Sequence, residues 1–98
     1  AFSPTDLLAA ALPACMMTIM GIVADRHDLD LSGMHARTEK VMSPDAPRRI
    51  ASLRTTIEVP LAADHPRRGS LENAAHTCPV HKSLHPDIDA TVEFVWTG

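Results

Sequence analysis

The chain has 98 residues, of which 45% are apolar and 21% are charged, with a formal net charge of −3. This length and composition predict one small globular domain and exclude a disordered chain. The acidic balance and the scarcity of aromatic side chains, 3% of the residues, argue against nucleic acid as a partner. Two cysteines are too few for a disulfide-rich scaffold.

A long helix is predicted at the start of the sequence. Ser3 is a suitable N-cap, Pro4 suits the first helical position, and Asp6 completes a variant of the capping box. The helix should extend to about His27, with a kink caused by the internal Pro13. Its apolar stripe, spaced by three and four residues, consists of Leu8, Leu12, Cys15, Ile19 and Ile22.

Residues 7–24 of this helix form an uncharged run of 18 residues. Such a helix is about 27 Å long, which is the threshold for crossing a bilayer. The internal proline, the alanine content and the lack of aromatic or basic anchors favour a buried helix between subunits instead. We therefore expect no membrane association, and we interpret the three methionines of the helix, Met16, Met17 and Met20, as core filler or as the lining of an apolar pocket.

The rest of the sequence predicts three strands and two short helices. Strands are expected at 34–42 and 50–60, paired as an antiparallel hairpin. A helix should follow at 64–77, a second should begin at Pro79 and end near Leu84, and a third strand is expected at 88–96. The inward side of the second strand is predicted to be Ala51, Leu53, Thr55, Ile57 and Val59.

The two cysteines are the candidate reactive groups. Cys78 stands at the start of a short helix, where free N–H groups and the helix dipole favour a thiolate. Cys15 lies several turns inside its helix, where that effect has faded. The residues alone leave two interpretations open. The cysteines are either a redox pair, in which one resolves the oxidised sulfur of the other, or two packed apolar side chains.

A zinc site is a further interpretation of the segment around Cys78. His81 and His85 are four positions apart, as on one face of a helix. However, the run lacks a standard zinc spacing and is divided by Pro79. We therefore expect neither a metal nor another cofactor, although His76 and His81 are close enough in sequence to influence the charge of the thiol.

Two segments together resemble one protein family. "SPTDLLAAALPACMMT", with a cysteine in mid-helix, and "HTCPVHKSL" near the C-terminus are similar to the OsmC/Ohr family (osmotically inducible protein C and organic hydroperoxide resistance proteins). The resemblance implies one OsmC-like domain over residues 1–98, lacking the usual N-terminal strands. The implied fold is α+β, with an antiparallel sheet packed on long central helices in an intertwined homodimer.

The resemblance also implies an activity. Characterised members are thiol-dependent peroxidases that reduce organic hydroperoxides in a stress response, at sites on the dimer interface. The helical cysteine, here Cys15, would be attacked by peroxide, and the cysteine of the "TCP" motif, here Cys78, would resolve it. An external dithiol or lipoyl group would reduce the pair, and the expected location is the cytoplasm. The local helix-dipole argument ranks the two thiols in the opposite order.

Three departures from the family pattern leave an alternative open. Thr5 stands ten positions before Cys15, where the hydroperoxide branch has an acidic residue, and Asp6 lies about 100° further round the helix. The activating arginine comes from an early strand that this chain does not contain, and Pro13 replaces a helix-friendly residue. The alternative is a non-catalytic OsmC-fold dimeric module that binds a small apolar ligand.

Overall fold

The computed structural model describes residues 3–98. Its elements follow the predicted order of one long helix, two strands, two short helices and a third strand. They are α1 (Pro4–Arg26), β1 (His35–Met42), β2 (Ile50–Val59), α2 (Arg68–His76), α3 (Pro79–Lys82) and β3 (Val92–Trp96).

The start of α1 is confirmed in its details. Oγ of Ser3 accepts the backbone N–H of Asp6 at 3.2 Å, and Pro4 occupies the first helical position. Pro13 lies inside the helix, which is assigned as one continuous element. The chain leaves the helix at His27, as its sequence predicts.

The buried face of α1 differs from the predicted stripe. Of that stripe only Leu12 is fully buried, while Ile22 is 45% exposed. Because α1 is apolar on most of its circumference, residue spacing alone could not identify the face that packs against the sheet. The buried residues are Ala9, Leu12, Pro13, Met16, Met20 and Ala24, so Met16 and Met20 are core residues, as one of the two interpretations predicted.

By length and composition alone, α1 could cross a membrane. The central helix of a globular domain satisfies the same criterion, and only 28% of the most apolar 18-residue stretch is buried within this chain. The helix therefore presents an apolar surface that its own chain leaves uncovered.

The three strands form a mixed sheet in the order β1-β2-β3. The antiparallel hairpin is confirmed, with Glu39 opposite Arg54 and Thr38 opposite Thr55. The prediction of a wholly antiparallel sheet was wrong, because β3 runs parallel to β2, with Ile57 opposite Phe94. The connection from β2 to β3 carries two helices, and such a long crossover is what parallel neighbours require.

The hydrophobic core lies between α1, β2 and α2. The predicted inward face of β2 is confirmed at Leu53, Thr55, Ile57 and Val59, all at most 1% exposed. The helix α2 contributes Leu71, Ala74 and Ala75. Cys78, two residues after the end of α2, is fully buried in the same core.

The predicted boundaries of the last elements were too wide. The first short helix begins at Arg68, after the turns around Pro66, and the second ends at Lys82. Asp89 bridges to Ser52 in isolation, and regular pairing of β3 starts only at Val92.

Candidate thiol site

Cys78 occupies the turn between two helices. It is the N-cap of α3, with extended backbone angles (φ −63°, ψ 140°), and Pro79 takes the first helical position. Its backbone N–H bonds to the carbonyl of Ala75, and its Sγ accepts the backbone N–H of His81 at 3.3 Å. The proline therefore breaks the helical run as predicted, and the sulfur takes the position of a capping oxygen.

The surroundings of Cys78 act against the thiolate that the helix end favours. Burial raises the pKa of the Cys78 thiol, and the neighbouring thiol of Cys15 raises it further. The backbone N–H groups of His81 and Val80 act in the opposite direction. Because α3 has only four residues, its dipole is small, and the loss of water at a fully buried sulfur outweighs it.

Cys15 lies in the middle of α1 and packs partly buried against the core. It is close enough to Cys78 for the two thiols to interact, although they are far apart in sequence. Both cysteines are free thiols. The fold thus brings both predicted site residues to the same core, while their pairing and chemical roles stay a prediction.

The histidines around Cys78 make contacts with neighbouring residues and do not converge on one point. Nε2 of His81 lies 3.2 Å from the carbonyl oxygen of Ala90, and Nδ1 of His85 accepts the backbone N–H of Asp87. The ring of His76 packs edge-on against that of His81, with centroids 6.0 Å apart. Within residues 3–98, no group of three or more ligating side chains is arranged for a metal ion.

One charged cluster was missed by sequence reasoning. Nζ of Lys40, on β1, donates to Oδ1 of Asp6 at 2.5 Å and to Oγ1 of Thr5 at 3.0 Å. The hydrogen bond from Lys40 is the largest cause of a lowered pKa at Asp6. Both Thr5 and its acidic neighbour thus hold a lysine, although the residues are distant in sequence. The contact depends on how β1 packs beside the start of α1, and no local motif encodes it.

Two open clefts lie on the surface of the part of the chain that the structure describes. One, of about 600 Å³, lies between α1 and β1 and includes Pro13, Met17 and Lys40 in its lining. Pro13 and Met17 each lie two positions from Cys15, about 200° round the helix, so this cleft opens on a different side of α1 from the thiol. The other, of about 400 Å³, has an apolar floor of Ile50, Ala51 and Ile88.

Comparison with known proteins decides the family. The family model described as OsmC-like protein matches residues 1–93. The chain belongs to the OsmC-like family. Among solved structures, a protein from Psychrobacter arcticus is 45% identical, with a TM-score of 0.87 over 96% of this chain and 68% of its own. That protein is provisionally described as an osmotic stress induced and detoxification response protein.

More distant OsmC-like structures share the fold. The organic hydroperoxide resistance protein OhrB of Bacillus subtilis is 22% identical, with a TM-score of 0.73 over 96% of this chain and 70% of its own. An OsmC protein of Legionella pneumophila, also described as an organic hydroperoxide resistance protein, is 18% identical, with a TM-score of 0.76 over 97% and 70%. No curated protein matches the sequence. The predicted OsmC-like resemblance and α+β fold are confirmed.

Proposed function

We propose that this OsmC-like protein is a homodimeric, thiol-dependent peroxidase that reduces organic hydroperoxides in the cytoplasm. Cys15 is the thiol that peroxide oxidises, and Cys78 is the thiol that resolves it. An external dithiol, such as a lipoyl group, restores both. The proposal rests on the packing of Cys15 against the core that contains Cys78, and no metal or organic cofactor takes part in it.

The proposed cycle uses the protein's two thiols, a hydroperoxide and an external dithiol. The sulfur of Cys15 attacks the terminal oxygen of the hydroperoxide, which leaves an alcohol and a sulfenic acid. The Cys78 thiol then attacks the oxidised sulfur, loses its proton, and forms a disulfide while water departs. The external dithiol reduces the disulfide and is itself oxidised to a disulfide.

The solvent exposure of the two cysteines supports these roles rather than the reverse order, which the helix dipole favours. Cys15 is partly exposed, whereas Cys78 is fully buried and has a raised pKa. A peroxide reaches the more exposed sulfur first. A buried, protonated thiol is a poor first nucleophile. It can nevertheless act once an electrophilic sulfur lies beside it, because the reaction is then intramolecular.

The uncovered surface of α1 supports a homodimer. Leu7 is 57% exposed and Ile22 is 45% exposed, at opposite ends of the helix. Apolar side chains along a whole helix are unfavourable in water, and a second copy presenting the same surface would cover them. We propose that the two α1 helices meet in the dimer. In such a dimer the long apolar helix is buried at a protein interface and not in a membrane.

The activity is tested by peroxide consumption. Purified protein is mixed with cumene hydroperoxide and dihydrolipoamide, with Cys15→Ser and Cys78→Ser as variants. We expect turnover by the wild type, no oxidation in Cys15→Ser, and in Cys78→Ser a sulfenic acid that forms without closing to an intramolecular disulfide. Thiol-independent peroxide loss, or wild-type turnover by Cys15→Ser, would refute the assignment.

The second candidate function is a non-catalytic module that binds a small apolar ligand. The cleft lined by three apolar residues and three polar or charged ones favours it. These are Ile50, Ala51, Ile88, Arg49, His85 and Asp87. Concave apolar sites with a few polar groups are the usual form of ligand pockets. Saturable binding of a fluorescent apolar probe, lost in Ile88→Asp and unchanged by Cys15→Ser, together with absent peroxide turnover, would favour this candidate.

A further inference from the structure

We propose that His81 is a positioning residue for the Cys78 thiol. Its ring fastens α3 to the segment that leads into β3, and its own backbone N–H thereby stays directed at Sγ. The inference rests on the proposed thiol chemistry and adds to it a residue that controls the second, disulfide-forming step.

The helix α3 requires an external anchor. It has four residues, a single turn, and an isolated turn of this length is unstable in water. Val80 and Leu84 provide apolar contacts with the core. The directional link is the His81 ring, whose Nε2 lies 3.2 Å from the carbonyl oxygen of Ala90. A carbonyl oxygen can only accept, so Nε2 must carry a hydrogen and donate it.

The backbone of the same residue carries the contact with sulfur. The N–H of His81 donates to Sγ of Cys78 at 3.3 Å. His81 therefore makes two contacts. Its side chain bonds to the segment that leads into β3, and its backbone N–H bonds to the thiol. If the ring loses its partner, the turn is free to rotate and this N–H leaves the sulfur.

This hydrogen bond is important when the thiol loses its proton. During resolution the Cys78 thiol must lose its proton before its sulfur attacks Cys15, so an anionic sulfur forms in a buried environment. A donor already aimed at the sulfur stabilises the developing anion, and hydrogen bonds to charged groups are the stronger kind. Titratable groups that face this point from other elements include His76 on α2 and Cys15 on α1.

The test compares His81→Gln with His81→Leu. Glutamine offers an amide N–H that can reach Ala90, whereas leucine has a similar size and no donor. Lys82→Leu, at an exposed position in the same short helix, is the matched control. After one equivalent of peroxide, samples are quenched and alkylated, and mass spectrometry follows loss of reduced Cys15 separately from formation of the disulfide.

We expect Cys15 oxidation to be unchanged in all variants. Disulfide closure should be about tenfold slower in His81→Leu, and within twofold of the wild-type rate in His81→Gln and Lys82→Leu. Closure at the wild-type rate in His81→Leu would overturn the inference. Equal slowing in His81→Leu and His81→Gln would do the same, because it would show a need for the imidazole itself.

A second measurement keeps the inference testable if the peroxidase proposal fails. In a Cys15→Ser background, Cys78 is the only thiol, and its titration is followed by ultraviolet absorbance of the thiolate. His81→Leu should shift the Cys78 titration to higher pH, and His81→Gln should not. If the wild type shows no peroxide chemistry but this pattern holds, the positioning role stands and the proposed function falls. Identical titrations would remove the positioning role.

Discussion

Nζ of Lys40 lies 2.5 Å from Oδ1 of Asp6, which joins the edge strand β1 to the first turn of α1. The same nitrogen donates to Thr5, so the lysine holds two residues of that turn. Family resemblance singles out Thr5 for lacking a carboxylate. In this fold, the next residue, Asp6, supplies a carboxylate that binds the ammonium group of Lys40.

The Lys40–Asp6 contact makes stability depend on pH in the acid range. The hydrogen bond with Lys40 lowers the pKa of Asp6 below its ordinary value of 3.8. Its contribution is therefore present above that value and is lost as the pH falls through the lowered pKa. We expect Asp6→Asn to reduce the free energy of unfolding at neutral pH, and the difference from wild type to disappear in acid. Urea denaturation across a pH series measures this.

Asp64→Asn is the control for that series, because Asp64 is exposed. It should follow the wild-type curve at each pH. A difference between wild type and Asp6→Asn that persists unchanged in strong acid would contradict an electrostatic role for this carboxylate.

The two thiols should differ in reactivity before any peroxide is added. Cys78 is fully buried with a raised pKa, whereas Cys15 is partly exposed. In the reduced protein at neutral pH, iodoacetamide should modify Cys15 at least about tenfold faster, because the buried thiol reacts only when the structure opens. Peptide mass spectrometry at several times measures both rates. In urea the rates should converge, and faster labelling of Cys78 in the native protein would refute the prediction.

A hydrogen-bonded tryptophan links β3 to α2. Nε1 of Trp96 donates to Oε2 of Glu72 at 3.2 Å, and Arg68 donates to the same oxygen while its guanidinium lies 5.4 Å from the centre of the indole ring. We expect Glu72→Ala to cost about 1 kcal/mol of stability. It should also change the emission of the single tryptophan. Chemical denaturation followed by fluorescence measures both effects.

Glu93→Ala provides the comparison for Glu72→Ala, since Glu93 is an exposed residue of the same strand. Its emission and stability should match the wild type within about 0.5 kcal/mol. An unchanged spectrum in Glu72→Ala would show that the indole contact does not persist in solution.

The exposed apolar side of α1 predicts the effect of a charge on assembly. Ile22→Glu should weaken the homodimer at least tenfold, because the two-fold partner would bring the same charge to the interface. Sedimentation across a concentration series measures the dissociation constant. Val41→Glu, at a 53% exposed position on β1, should leave it within about twofold. A monomeric wild type, or equal weakening by both substitutions, would contradict pairing through α1.

Sequence reasoning succeeded where the signal is local. The cap at Ser3 fixed the start of α1, and strict alternation in β2 identified its buried side. The proline after Cys78 located a helix start. These features depend on residues within a few positions of one another, which is the range over which capping and strand periodicity act.

The errors arose where distant parts of the chain meet. Nothing near Val92–Trp96 reveals that this strand runs parallel to β2, because direction depends on the whole crossover. The pKa of Cys78 depends on its burial in a core that distant parts of the chain build, and the Lys40 contact depends on the packing of β1 beside α1. The face of α1 that is buried was ambiguous because nearly every face is apolar.

The parallel pairing of β2 and β3 has a consequence for how the protein matures. Cys78 lies in the crossover between those strands, so it reaches Cys15 only when this crossover has folded onto the first helix. A growing polypeptide still emerging from the ribosome has no such geometry, and closing so long a loop earlier is entropically unfavourable. A selective cross-link between the two sulfurs would thus show that folding is complete. A misfolded chain would give no such cross-link.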